Sequence, residues 1–219
     1  MSFVEPDRRG PELLQQASIW TRPPGASANG LRIGLLGGSF NPAHDGHLHV
    51  SLSALKALEL DYVWWLISPQ NPLKHARDMA GLNTRLAAAR LKARHPRILV
   101  AAIEVELGTR YTVDTLRRLK ARFPTLRFVW LMGSDNLLQI PRWRNWREIF
   151  HLVPVATVTR PGTALRARFG SAVQVFAKAR KPPSKTFPAQ TTPAWTLIEA
   201  RHHPQSATLL RAQGLKPSL

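Results

Sequence analysis

Short apolar runs alternate with segments of helical spacing along most of this chain, and that alternation constrains the fold more than any other feature. Residues 31–36, 62–67 (YVWWLI), 98–103, 126–132 (LRFVWLM) and 153–159 are short and nearly continuous in apolar character. Runs of that kind read as strands buried on both faces. Residues 195–199 read as a last strand. Between them, residues 47–60 place Leu48, Leu52, Leu55 and Leu58 at helical spacing, with Asp45 positioned as the cap. Residues 82–94 form an Ala- and Arg-rich helix. Residues 113–123 carry Leu116 and Leu119 on one face before Pro124 stops the helix, and residues 146–150 make a short one. Strands that alternate with helices predict βαβ units and a parallel sheet covered on both faces. Right-handed crossovers make this a doubly wound, Rossmann-like α/β sheet.

Such sheets bind ligands beyond the carboxyl ends of their strands. The unusual segments of this sequence fall there: residues 37–47, 68–75, 133–135 and 160–162. Residues 179–193, with their prolines, lysines and threonines, read as an irregular loop, and 206–212 as a short helix. Residues 1–30 hold four prolines and mixed charge without a continuous apolar core. They read as a flexible N-terminal extension with a short helix around residues 12–17. Residues 31–219 then form a single domain.

Composition narrows the chemistry. The chain has 219 residues, 44% of them hydrophobic, enough for one α/β core. It contains no cysteine, which excludes disulfides, thiolate-bound metal and a cysteine nucleophile. No apolar stretch has the length of a membrane-spanning helix. The formal net charge of +18 favours polyanions, but the basic residues are spread along the chain and form no run typical of a nucleic-acid arm.

Residues 37–47 read GGSFNPAHDGH. A strand delivers Gly37 and Gly38 to a turn where backbone N–H groups can face a phosphate. The following helix points its N-terminus, and the positive end of its dipole, into the same space. His44 and His47 flank that helix start, where imidazoles can donate to phosphate oxygens. The glycines fit neither the dinucleotide fingerprint nor a Walker loop.

The segment resembles the G-G-[ST]-F-x-P-x-H-x-G-H signature of the H-x-G-H nucleotidyltransferases, with His44-Asp45-Gly46-His47 as its H-x-G-H element. Within that superfamily, residues from about 31 to 211 are similar to bacterial nicotinate-nucleotide adenylyltransferase. Residues 69–74 (PQNPLK) resemble its P-x-x-P-[PL]-K loop, and 110–116 (RYTVDTL) its S-Y-T-x-x-T-L element with Arg110 in place of serine. Residues 133–136 (GSDN) resemble G-x-D-[NS], Trp143 sits in a P-x-W segment, residues 159–162 (TRPG) resemble R-x-G, and 206–211 (SATLLR) the terminal S-[SA]-T-x-[IL]-R element. The family continues with a helix past that arginine, whereas eight residues follow Arg211 here.

The resemblance implies a nucleotidyltransferase-type sheet and transfer of the adenylyl group of ATP to nicotinate mononucleotide. The products are deamido-NAD and pyrophosphate, in NAD biosynthesis in the cytoplasm. It implies that His44 and His47 steady charge at the α-phosphoryl group. Gly37, Gly38, Ser39 and Phe40 line the nucleotide phosphates, with Lys74, Ser206, Thr208 and Arg211. Thr112, Trp143 and Asp135 serve the acceptor, while Arg160 serves either the mononucleotide or the adenine. Magnesium is expected with ATP, without a dedicated protein cage. Trp64, Trp65 and Trp130 read as core. Nicotinamide mononucleotide or another phosphorylated acceptor stays open as an alternative, and a phosphopantetheine adenylyltransferase or cytidylyltransferase is the nearest rival. A non-catalytic basic nucleic-acid-binding protein is a remote alternative. The sequence leaves the choice between monomer and homo-oligomer open.

Overall fold

The computed structural model describes residues 30–69, 79–160 and 163–200. They build one six-stranded sheet from β1 (Arg32–Gly38), β2 (Tyr62–Ile67), β3 (Ile98–Ala101), β4 (Arg127–Gly133), β5 (Val155–Val158) and β6 (Trp195–Ile198). Every pairing is parallel, and the spatial order is β3-β2-β1-β4-β5-β6. The chain moves outward from β1 to β3, then returns to the far side of β1 for β4. The strand order therefore reverses between β1 and β4, and their carboxyl ends flank the crevice where such sheets take ligands.

Side chains alternate between two cores, as the period of a strand requires. On one face Ile33, Leu35, Trp64, Phe128, Trp130 and Met132 pack against α4 (Thr112–Arg122) and α6 (Trp146–Leu152) through Leu116, Leu119, Ile149 and Phe150. On the other, Leu36, Trp65, Ile67, Val129 and Leu131 pack against α1 (Asp45–Ala57) and α2 (Leu82–Lys92) through Val50, Ala54, Leu55, Leu86 and Ala89. Trp64 and Trp130 both register with Leu35, so two indoles flank β1 on the same face. Trp64, Trp65 and Trp130 are thus core residues, as their place in apolar runs predicts.

Several boundaries differ from the sequence reading. The third strand stops at Ala101, and Ile103 opens a short helix, α3 (Ile103–Leu107), which ends at Gly108 with φ +60°. Ile103 is apolar, but it buries itself as the first residue of that helix and not as strand. The buried face of α1 runs through Val50, Ser51, Ala54 and Leu55. Leu52, expected inside, is exposed. Three further short helices have no counterpart in the sequence reading: α5 (Ser134–Gln139), α7 (Ala164–Ala167) and α8 (Ser171–Val175). All are too short for a periodic signal. Residues 179–193 are irregular apart from a single 3-10 turn at Phe187–Ala189 and the end of another at Ala177–Ala179. The expected helices at 12–17 and 206–212 lie outside the described residues.

Candidate active site

β1 ends in Gly37-Gly38, and the Trp130 ring lies directly over Gly37, where a Cβ would be driven into the indole. The missing side chain lets the strand end pass beneath the aromatic wall. Beyond it the chain turns through Phe40 at φ +46°, an uncommon conformation for a bulky side chain. The turn is held because the Phe40 ring is fully buried, stacked on Trp65 at 5.1 Å and against His47 at 4.4 Å between centroids.

His44, not Asp45, caps α1. Its backbone is extended and its Nδ1 accepts from the Gly46 N–H at 3.0 Å. The His44 N–H in turn donates to His47 Nδ1 at 3.2 Å, and the two rings lie 3.9 Å apart. An imidazole nitrogen satisfies the orphan amides that an aspartate carboxylate was expected to satisfy. Asp45 becomes the first helical residue, where its charge suits the dipole, and it pairs with Lys92. Both rings use Nδ1 as acceptor, which assigns the proton of each to Nε2. Behind them the Trp65 Nε1–H donates to Ser51 Oγ at 2.7 Å, and Ser51 donates to the His47 carbonyl at 2.9 Å. This buried relay fixes α1 to β2.

Arg85 on α2 is a site residue that the sequence reading passed over. It is 1% exposed. Its Nη1 donates to the carbonyls of Ser39 and Ser68 at 2.7 Å each, Nη2 to Pro69 at 3.0 Å, and Nε to Ala80 at 2.9 Å. Burial pushes its pKa below the usual guanidinium value. The only sequence signal was an arginine at a core position of its helix, visible once the buried face is defined by Leu86 and Ala89.

Across the crevice, β4 ends at Gly133. A Cβ there would collide with Asp135 Oδ1 and lie 2.6 Å from Arg160 Nε. Arg160 follows β5 and reaches Asp135 Oδ2 at 3.4 Å and the Gly46 carbonyl at 3.5 Å, so it spans from the β5 side to the start of α1. Its own amide is held by Ser134 Oγ at 2.9 Å. Asp135 Oδ1 and Arg160 Nε are shut off from solvent and lack hydrogen-bond partners among the described residues. Buried polar atoms are rarely left in that state without a ligand or water to meet them.

Thr112 is the first residue of α4, after Tyr111, whose side chain makes no cap hydrogen bond. The Tyr111 ring lies beneath Arg144 at 4.7 Å, with Arg110 at 6.0 Å. Trp143 stands edge-on to Trp130 at 6.2 Å, so one aromatic wall runs from Trp143 to Gly37. Below Thr112, buried Glu104 accepts from Thr115 Oγ1 at 3.3 Å, and Thr115 Oγ1 lies 2.8 Å from Thr109 Oγ1. Desolvation raises the Glu104 carboxyl to about 7, opposed by hydrogen bonds from Ser68 and Thr115. Sequence reasoning missed this residue too. Lys74, Ser206, Thr208 and Arg211 lie outside the described residues. Among the described residues no three His, Cys, Asp or Glu side chains group to hold a metal ion.

A strand order that reverses at a histidine-capped helix is the frame of a nucleotidyltransferase, and comparison with known proteins agrees. The Cytidylyltransferase-like family matches residues 35–213. The probable nicotinate-nucleotide adenylyltransferase of Parvibaculum lavamentivorans (strain DS-1) is 52% identical over 187 residues, which are 84% of this chain and 93% of that protein. Its namesake from Methylorubrum extorquens (strain PA1) is 50% identical over 84% of this chain and 100% of that one. Among solved structures, Plasmodium falciparum nicotinic acid mononucleotide adenylyltransferase complexed with NaAD superposes with a TM-score of 0.61. The match covers 83% of each chain at 16% identity, a likeness of fold. The chain belongs to the Cytidylyltransferase-like nucleotidyltransferases and, among them, to the nicotinate-nucleotide adenylyltransferase family.

Proposed function

We propose that the protein transfers the adenylyl group of ATP to nicotinate mononucleotide, giving deamido-NAD and pyrophosphate in NAD biosynthesis. The observation that carries the transfer chemistry is the pair of histidines wired through Nδ1 into the first turn of α1. An oxygen of the mononucleotide phosphate forms a bond to the α-phosphorus of ATP. The bond from that phosphorus to the oxygen bridging to the β-phosphate breaks, and pyrophosphate leaves. The attacking phosphate is an anion at neutral pH, so no base has to remove a proton. Positioning and charge stabilisation then do the catalysis. In this reading the Nε2–H groups of His44 and His47 donate to α-phosphoryl oxygens as charge builds there. The amides of Ser39 and Phe40 face the phosphates, and Lys74, Ser206, Thr208 and Arg211 complete their binding.

The acceptor lies between the Trp143 wall and α4. The uncapped start of α4 at Thr112, with Arg144 and Arg110 close by, suits a carboxylate on the pyridine ring. The names of the relatives at about half identity support nicotinate as that ring. Asp135 and Arg160, paired through Oδ2 and Nη1, stand beside the crevice, and the parts of both side chains that stay open to solvent would meet ribose hydroxyls. Magnesium fits as a partner of ATP: the phosphates and water supply its hard oxygen ligands, and its role is to neutralise the triphosphate. The proposal puts the reaction in the cytoplasm. Among the described residues no helix is long and apolar enough to cross a membrane.

A pyrophosphate-release assay with ATP, magnesium and nicotinate mononucleotide tests the reaction, and no release would overturn it. The amide mononucleotide is the discriminating control. A neutral amide cannot take the charge-assisted hydrogen bonds that a carboxylate takes, so its kcat/KM is expected roughly ten-fold or more below that of the acid. Equal values would remove the assignment of Thr112 and the arginines.

A further inference from the structure

The guanidinium of Arg85 is buried among four backbone carbonyls, and no carboxylate pairs with it among the described residues. An arginine at such a depth is normally matched by an acid, because a lone buried charge is costly. Here it is retained at the rear of the turn that joins β1 to α1. The planarity of the peptide bond shows what the arrangement achieves. In a trans peptide the C=O and the following N–H point in opposite directions. Arg85 draws the Ser39 carbonyl toward itself, so the Phe40 N–H points the other way. The Ser68 N–H holds the Gly38 carbonyl at 2.9 Å, which turns the Ser39 N–H away from β2 as well. Arg85 also holds the Ser68 carbonyl. Two successive peptide planes are thereby fixed, one directly and one through Ser68. The plane held directly enters Phe40 at φ +46°, a conformation that persists only where its surroundings over-determine it.

We propose that Arg85 is a positioning residue for the ATP triphosphate: it aims the Ser39 and Phe40 amides at the phosphates from behind and lends them its positive charge. Arg85 itself need not touch the nucleotide. This inference rests on the reading of the turn as the ATP phosphate site. It extends that reading to a residue on α2, 46 positions along the chain from Ser39.

Steady-state kinetics of Arg85→Lys and Arg85→Gln, each checked for folding by circular dichroism, test it. Lys keeps the charge but cannot hold four carbonyls. The expected result is a KM for ATP raised roughly ten-fold or more in both variants, with Gln the worse, while the KM for nicotinate mononucleotide stays within about two-fold. Equal rises in both KM values would mean a merely structural role, and unchanged values would mean none; either overturns the proposal. Where the variants do not fold, the wild-type chain supplies the test. The side-chain Nε–H resonance of Arg85 is expected to shift on titration with a non-hydrolysable ATP analogue and to stay in place with the mononucleotide. No shift with the analogue overturns the inference. Absence of pyrophosphate release by the wild type would overturn the proposed reaction instead, and the titration would still report on Arg85.

Discussion

In the proposed reaction His44 combines two duties that are usually separate, the helix cap seen in the structure and a donor to phosphate. His44→Ala removes both. The lost cap is expected to cost about 1 kcal/mol of stability, and the lost donor to lower kcat by about two to three orders of magnitude. Asparagine can still cap but projects no donor at the Nε2 position. His44→Asn should therefore recover the thermal midpoint while leaving kcat low, and recovery of both would refute the catalytic role. Glu104 yields a pH prediction. Its folded pKa of about 7 lies above the 4.5 of an unburied glutamate, so folding favours the protonated form. Its stabilising contribution is complete below about 4.5 and is lost as pH rises through about 7. The loss amounts to roughly 3 kcal/mol. Glu104→Gln should melt close to wild type at about pH 4.5 and several degrees higher at about pH 8. A pH-independent difference would contradict this. The two histidines and Asp135 could be named as candidates from the sequence because they stand in spaced motifs. Arg85 and Glu104 could not, since their importance comes from burial, and nothing local marks a charged residue as buried.

At the level of elements, the strands and longer helices were legible because apolar runs and 3.6-residue periodicity repeat often enough to be recognised. Helices of four to six residues such as α3, α5, α7 and α8 offer one turn or two, and tertiary contacts decide them. The capping of α1 differs from the sequence expectation for a related reason: aspartate is the statistical cap, but the turn at Phe40 delivers His44 to the position first. The glycines at two strand ends are the most direct test of how β1 and β4 shape the crevice. Gly37→Ala would push the Trp130 indole outward, costing about 1–3 kcal/mol and disturbing Trp143 beyond it. Gly133→Ala would instead displace Asp135 and Arg160. It should raise the KM for the mononucleotide several-fold with little change in melting, and an unchanged KM would place that pair outside the acceptor site.

Across the whole molecule, the formal charge of +18 meets two substrates that are both polyanions. A positive surface steers anions toward a crevice, and salt screens the effect beyond about 10 Å at 0.1 M. Raising ionic strength is expected to lower kcat/KM several-fold through KM, with kcat nearly constant. Insensitivity to salt would show that the charge serves something other than substrate capture. The reversal of strand order between β1 and β4 adds a geometric point. ATP is proposed to meet the β1–α1 side and the acceptor the β4–α4 side, so the two reactants approach from opposite halves of one sheet.

The wiring of the histidines has a last consequence. Each ring is anchored by the nitrogen nearer its backbone and presents a hydrogen at the other. To pass a proton along, a ring must take one up on the anchored side, which would evict an amide of the helix. The pair is therefore a one-way fitting: it can lean on an oxygen but cannot ferry protons to or from it. A solvent isotope effect near unity on the chemical step is the kinetic mark of such a site.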